Sequence, residues 1–297
     1  YVSFVPSYFV LLTISGLMGI VAVFAFFPAS SKVLSSIGGK KQAGRVFGIY
    51  YALEGVGGMI VNSIGSRIYI LTGNEMQVFT MIVRIYAVLN LVAAIGIYFF
   101  LSDIETKEIQ GHQISFSLLK YIYRRKEIWL IAVITMCNFV MYCSLTYITP
   151  YLTDVYIISE SRALIYGIIR VNILTFFSAI IFGKLSDIKQ SALYLIKWIM
   201  PVQSVILVLL ISNGMTWKNE AIAVIITLIY AFIATGVKAI CFVLITESGI
   251  PMFIMGTAIG LVSFVGYSPD AFLYPITGKL LETYSEQGYC YLFFICL

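Results

Sequence analysis

Apolar runs long enough to cross a membrane recur along the whole chain, separated by short polar and basic stretches. They fall near residues 8–28, 45–66, 77–101, 128–150, 163–183, 192–213, 220–246 and 254–278. As a helix of about 20 residues, each covers the roughly 30 Å hydrocarbon core of a bilayer. A further run opens at Tyr289 and reaches Leu297 in less than half a crossing. None shows the alternation over about ten residues that a barrel strand carries. The pattern predicts an all-α polytopic membrane protein. Composition agrees, with 60% of residues hydrophobic and 11% charged, against about 45–50% and 25% in soluble domains. The chain is also expected to be truncated at both ends: it opens on Tyr1 with no basic leader and cleavage site, and it closes inside an apolar run.

Charge then orients the helices. Lys32, Lys40, Lys41 and Arg45 follow the first run; Lys107, Lys120, Arg124, Arg125 and Lys126 follow the third; Lys184, Lys189 and Lys197 follow the fifth. The intervening loops hold the single cations Arg67, Arg162, Lys218 and Lys279, and the loop between the seventh and eighth runs holds none. The positive-inside rule places the richer set in the cytoplasm. The net charge of +5 is thus a topology signal, and no basic patch interleaved with aromatics points to nucleic acid. The longest polar stretch, residues 102–127, is expected to be a cytoplasmic linker between an N-terminal bundle (1–101, three spans) and a C-terminal bundle (128–297). Within it Phe116, Leu119 and Tyr123 fall on one helical face beside Arg124, Arg125 and Lys126, as in a helix lying in the membrane interface. The single histidine, His112, also lies there, as a solvated side chain. Cys137, Cys143, Cys241, Cys290 and Cys296 sit in apolar runs without C-x-x-C spacing and read as buried free thiols. Neither a metal nor a cofactor is expected.

Ionisable groups within the spans are the candidate chemistry, because a charge near mid-bilayer costs several kcal/mol unless paired or hydrated. Five qualify: Glu54, Arg84, Arg170, Lys238 and Asp270. Glu54 and Arg170 fall within about 5 Å of their span centres at 1.5 Å per residue. Arg84 and Lys238 lie further out, where snorkelling, structural pairing and solute contact are all open. At α-helical spacing Tyr166 shares a face with Arg170, Tyr50 and Tyr51 with Glu54, and Tyr267 and Tyr274 with Asp270. The last group lies between Pro269 and Pro275, whose freed carbonyls need protein or a wet cavity around them. Asn138, Tyr142 and Thr149 form a polar stripe facing either a cavity or neighbouring helices. Asn172, Thr175 and Ser178 fall opposite Arg170, as a helix-packing stripe. The candidate solute-binding set is therefore Arg170, Tyr166, Glu54, Tyr50, Tyr51, Asn138, Tyr142, Lys238, Asp270 and Tyr274. The second and eighth runs both open with G-x-x-x-G (Gly44/Gly48 and Gly256/Gly260), which permits close helix approach and echoes the internal repeats of transporters.

After the fifth run, the string GKLSDIKQ, through Gly183, Leu185 and Asp187, resembles the G-x-L-x-D-[RK]-x-G-[RK]-[RK] loop motif of the major facilitator superfamily. Ile188 and Gln190 stand where a basic residue and a glycine are usual, and no Arg/Lys pair follows. FPASSKVLSSIGGKKQAGRVFGIYYALEGVGG, with its proline, basic loop and glycine-rich helix in order, is similar to the family's stretch from its fourth into its fifth span. The resemblance implies a major-facilitator-type two-bundle fold, truncated at both ends, from the fourth span to the start of the twelfth at Tyr289.

What the resemblance implies about function is a secondary active transporter moving a small, polar, anionic solute by alternating access. Nitrate/nitrite porters and sugar-acid or other organic-anion permeases look nearest. A proton, sodium or counter-anion would be coupled, and the protein would be a multi-pass monomer among the lipids of a bacterial inner or plasma membrane. Gly183, Leu185 and Asp187 become a gating loop, with Asp187 capping or pairing across the cytoplasmic face. The family's fifth and eighth spans meet, which brings Glu54 near Arg170, offset by about 7 Å in depth. Either the two pair, or Arg170 holds an anion while Glu54 takes a proton. The alternative is an integral-membrane enzyme or sensor without transport activity. An enzyme would need clustered acids, histidines or metal-ligand spacings, and the G-x-x-x-x-G-K-[ST] string of an ATP-driven machine does not occur.

Overall fold

The apolar runs fold as helices. The computed structural model describes residues 7–72, 75–101 and 116–297, and all its regular structure among these is helical. α1 (Tyr8–Val21) passes through a π-helical stretch, Ala22–Phe26, into α2 (Phe27–Thr72), and α3 (Glu75–Leu101) follows. After α4 (Phe116–Arg124), α5 (Lys126–Ser144) leads through a 3₁₀ turn into α6 (Ile148–Tyr156). α7 (Glu160–Ile168) joins α8 (Thr175–Lys189) through a second π-helical stretch, Ile169–Leu174. The chain continues with α9 (Ala192–Ser212), α10 (Glu220–Cys241), α11 (Val243–Glu247), α12 (Met252–Gly266), α13 (Pro269–Tyr284) and α14 (Glu286–Cys296).

Among the described residues six helical stretches are long and apolar enough to cross a membrane: Phe9–Gly39, Met76–Gly96, Lys126–Tyr156, Glu160–Lys189, Ala192–Thr216 and Glu220–Glu247. The other two expected spans are helical as well. Residues 45–66 belong to α2 beyond its bend, and 254–278 is divided where Pro269 starts α13, a position suited to a residue without an N–H. The basic stretch expected to loop between the first two spans is instead helix up to Gly39. That glycine makes the turn alone, at φ 52° and ψ −165°, a conformation costly for residues with a Cβ. The 31 residues of Phe9–Gly39 extend about 46 Å at 1.5 Å each, so the last turns, with Lys32, stand beyond the hydrocarbon.

α10 lies at the centre. Its small residues Ala231, Ala234 and Ala239 are fully buried, and it packs against α8, α9 and α5. Lipid tails are as apolar as leucine, so close backbone packing and polar contacts hold such helices together. Here Ser178 on α8 meets Thr235 on α10 at 2.8 Å, and Ser144 on α5 meets Tyr230 at 2.9 Å. The far part of α2 runs along α8, and α12 packs on α5 and α2, with Phe27 against Tyr267 at 4.7 Å between ring centroids. α3 touches α2 and exposes Val88, Leu91 and Val92, an apolar surface fit for lipid.

Two smaller expectations are corrected. Residues 102–115, including Lys107 and His112, lie outside the described residues, as do the side chains of Phe116 and Leu119. The described part of α4 buries Ile122 and leaves Tyr123 64% exposed, where its ring meets Trp129 and its carbonyl accepts from Trp129 Nε1 at 2.8 Å. Ile122 thus faces the protein, while Tyr123, expected on the face turned to the membrane interface, stays on the outside. Of the cysteines, Cys143, Cys241 and Cys296 are buried, Cys290 is half-buried and Cys137 is exposed, because Cys137 falls on the outer side of α5, next to the buried Asn138.

Candidate functional site

The seam between α2 and α8 is tight at the end that carries the lysine-rich stretches. A Cβ placed on Gly44 would lie 2.5 Å from the Gly183 carbonyl oxygen, and one on Gly48 would lie 2.5 Å from the Ala179 carbonyl oxygen. Backbone therefore meets backbone, which explains glycine at both Gly44 and Gly183. Asp187, one turn further along α8, accepts from the backbone N–H groups of Gly44 (2.9 Å) and Arg45 (2.8 Å). A carboxylate in the last turn of its own helix faces the negative end of that helix's dipole. Donors from the opposite helix offset this, and such charge-assisted bonds are the stronger kind. Glu247 makes an equivalent contact that sequence reading missed, accepting from Ala192 N–H at the start of α9 at 2.6 Å. Ser35 on α2 and Thr246 on α11 close the same end with a buried 2.9 Å hydrogen bond. Leu185 is 37% exposed and points away from the seam.

Farther along the seam the helices part. Arg170 is 3% exposed and lies in the π-helical stretch between α7 and α8. Its Nη2 donates to Thr149 Oγ1 at 2.7 Å, while its buried Nε and Nη1 have no partner among the described residues. A cavity of about 430 Å³ adjoins it, walled by Tyr142, Thr146, Thr149, Gly167, Arg170, Asn172, Thr175 and Thr235 with apolar neighbours. No acidic side chain is in that wall. The site thus holds a buried cation with unused donors beside a volume of the size small-molecule sites have.

A second cavity, about 520 Å³, shares Tyr142, Val171, Asn172, Thr175 and Thr235 with the first. Its charged groups are Glu54 on α2 and Lys238 on α10, whose Oε1 and Nζ are 3.4 Å apart. The Lys238 side chain is 16% exposed and that of Glu54 53%. Nζ also lies 4.1 Å from the Tyr142 ring centroid and 5.3 Å from that of Tyr51, within cation–π range. Of the two expected arrangements the Glu54–Arg170 pair does not form: Glu54 meets Lys238 instead.

Of the ten candidates, Arg170, Glu54, Tyr51, Tyr142 and Lys238 line these two cavities, and Tyr166, Tyr50, Asn138, Asp270 and Tyr274 do not. Tyr50 packs edge-on against Tyr51. Asn138 is buried with Oδ1 unpartnered. Asp270 is exposed and receives the Cys143 thiol at 3.4 Å. Tyr274 offers its carbonyl to Tyr147 at 3.4 Å. Thr149, Asn172 and Thr175 belong to the site although the first was read only as part of a stripe and the other two as helix packing. The π-helical stretch explains this. It brings residues five apart to one side, so Thr175 joins Arg170. Arg84 is exposed on α3, beside Gln77, Thr80 and Met81, and takes no part in the seam.

The chain belongs to the Major Facilitator Superfamily, whose family model matches residues 1–272. It is therefore a multi-pass membrane protein of a transporter family and not of an enzyme family. Inner membrane protein YihN of Escherichia coli (strain K12) is 27% identical over 290 residues, covering 95% of this chain and 68% of that protein. Inner membrane protein YqcE of the same strain is 24% identical, over 94% of this chain and 67% of that protein. An uncharacterized protein MG294 homolog of Mycoplasma pneumoniae is 22% identical, over 92% of this chain and 62% of that protein. The chain thus spans about two thirds of these relatives' length. No solved structure matches it.

Proposed function

We propose that the protein is a secondary active transporter that moves a small, polar, anionic solute by alternating access, in a bacterial inner membrane like the two Escherichia coli relatives. In this reading residues 1–101 and 128–297 form two bundles joined by residues 102–127, and they rock about the α2–α8 seam. One observation carries the anionic assignment: Arg170, 3% exposed, lines a cavity whose wall holds no acid, and its buried Nε and Nη1 have no partner among the described residues. A guanidinium binds a planar oxyanion with two parallel hydrogen bonds. The string Gly183–Asp187, expected as a loop, is the last part of α8, and the contacts of Asp187 with Gly44 and Arg45 support a gating role for this helix end, holding one end shut while the other admits solute. Proton, sodium and counter-anion remain the candidates for the coupled species.

The test is counterflow in proteoliposomes, with labelled nitrate, lactate, gluconate and glucuronate as probes. At least one should exchange. Arg170→Lys keeps the charge but loses the planar fork, and should raise the half-saturation concentration at least tenfold, equivalent to about 1.4 kcal/mol. Exchange of none of the probes, or an unchanged half-saturation in Arg170→Lys, rejects the assignment.

A further inference from the structure

We infer that the solute is a hydroxylated monoanion, with its acid group on Arg170 and its hydroxyl chain against the Lys238–Glu54 pair; the inference rests on the anion reading above. The two cavities adjoin, with five wall residues in common, and in this reading serve as two lobes of one site. A Cβ on Gly55 would lie 3.6 Å from Thr175 Cγ2 and 3.7 Å from the Asn172 carbonyl oxygen, which places the Glu54 helix directly against the stretch that follows Arg170.

The charges differ between the lobes. In the first, Arg170 is uncompensated and calls for one negative group. In the second, the charge on Lys238 is already met by Glu54 at 3.4 Å. A second anion there would have to displace Glu54 and then face it, like charge against like. What the pair does offer is a donor beside an acceptor, and a hydroxyl, which both donates and accepts, satisfies both. Asn90 and Tyr86 add further polar groups to that wall. The rings of Tyr51 and Tyr142 flank Lys238 and hold its ammonium group in place beside Glu54. A hydroxylated monocarboxylate such as a sugar acid has this chemistry; a dicarboxylate, a fatty acid and a neutral sugar each lack one part of it.

The experiment measures binding of gluconate, hexanoate, succinate and glucose to the purified protein in nanodiscs by calorimetry. Gluconate should bind at least tenfold more tightly than each of the others. Arg170→Lys should weaken gluconate and hexanoate alike, by tenfold or more. Glu54→Gln should cut the preference for gluconate over hexanoate about tenfold. Succinate or hexanoate binding as tightly as gluconate, or Glu54→Gln affecting both acids equally or neither, overturns the hydroxylated-monoanion assignment and leaves the anion site standing. Binding of none of the acids, or gluconate affinity indifferent to Arg170→Lys, overturns both. The wild-type ranking alone decides the matter if a variant does not fold, which ligand-free thermal unfolding reveals.

Discussion

At the scale of single residues, Arg170 combines a cost with a use. A buried guanidinium with one hydrogen bond, to Thr149, retains little of the solvation it gave up, and unpaired buried charge is destabilising. Such local conflict is what a binding group held ready for a ligand produces. Arg170→Met, of similar length and apolar, should therefore stabilise the empty protein by about 1–3 kcal/mol while abolishing anion binding. Thermal unfolding in detergent without ligand checks this, and a lower midpoint for the variant would make Arg170 a structural residue. The burial of Arg170 within the protein was legible in the sequence, since a charge so near mid-bilayer demands an account. Its neighbours were not. The face assignment assumed 3.6 residues per turn, and the π-helical stretch Ile169–Leu174 shifts that register just where it mattered. No sequence signal marked that stretch. Nor did spacing show that Glu54 would meet Lys238, 184 residues away in sequence.

At the scale of helices, the runs of apolar residues located the elements, because length and hydrophobicity are what a bilayer selects. Helix ends were harder to place, as the unbroken helix up to Gly39 shows: polar residues beyond the lipid cost a helix nothing. Of the two G-x-x-x-G pairs, the first is the close-approach surface expected and the second makes only ordinary side-chain contacts. Gly44 and Gly48 lie against α8, and Gly256 and Gly260 approach Lys32 and Pro28 of α2 at 3.8 and 3.5 Å from a placed Cβ. The partner helices could not be read from composition. Asp187 was singled out by its motif, while Glu247 had no motif to announce it. Asp187→Asn keeps one acceptor oxygen but gives up the charge, and a hydrogen bond to a neutral group is about half as strong as one to a charged group. The closed end should loosen with little loss of folded protein. Transport turnover in proteoliposomes should fall several-fold, with the unfolding midpoint shifted by only a few degrees. Unchanged turnover would mean that the carboxylate caps α2 without gating anything.

At the scale of the whole molecule, the seam is asymmetric. Gly44, Gly48, Asp187, Ser35 and Thr246 seal the lysine-rich end, whereas a Cβ on Gly57 or Gly58 would meet nothing within 4 Å and both glycines border the second cavity. If the positive-inside rule holds, the sealed end is cytoplasmic and the cavity opens outward. Single cysteines placed in a background free of the five native ones test orientation and closure together. Gln190→Cys, exposed in the α8–α9 connection, should react with an impermeant maleimide from the cytoplasmic side only. Ile157→Cys, 86% exposed at the opposite end, should react only from outside. Gly57→Cys should also label from outside, while Ser186→Cys, 2% exposed within the seal, should be protected from both sides. Reversal of the first two inverts the topology. Labelling of Ser186→Cys from the cytoplasm as fast as Gln190→Cys would show that the seal is open in the membrane, and the asymmetry that places Arg170 in an outward-facing cavity would have to be given up.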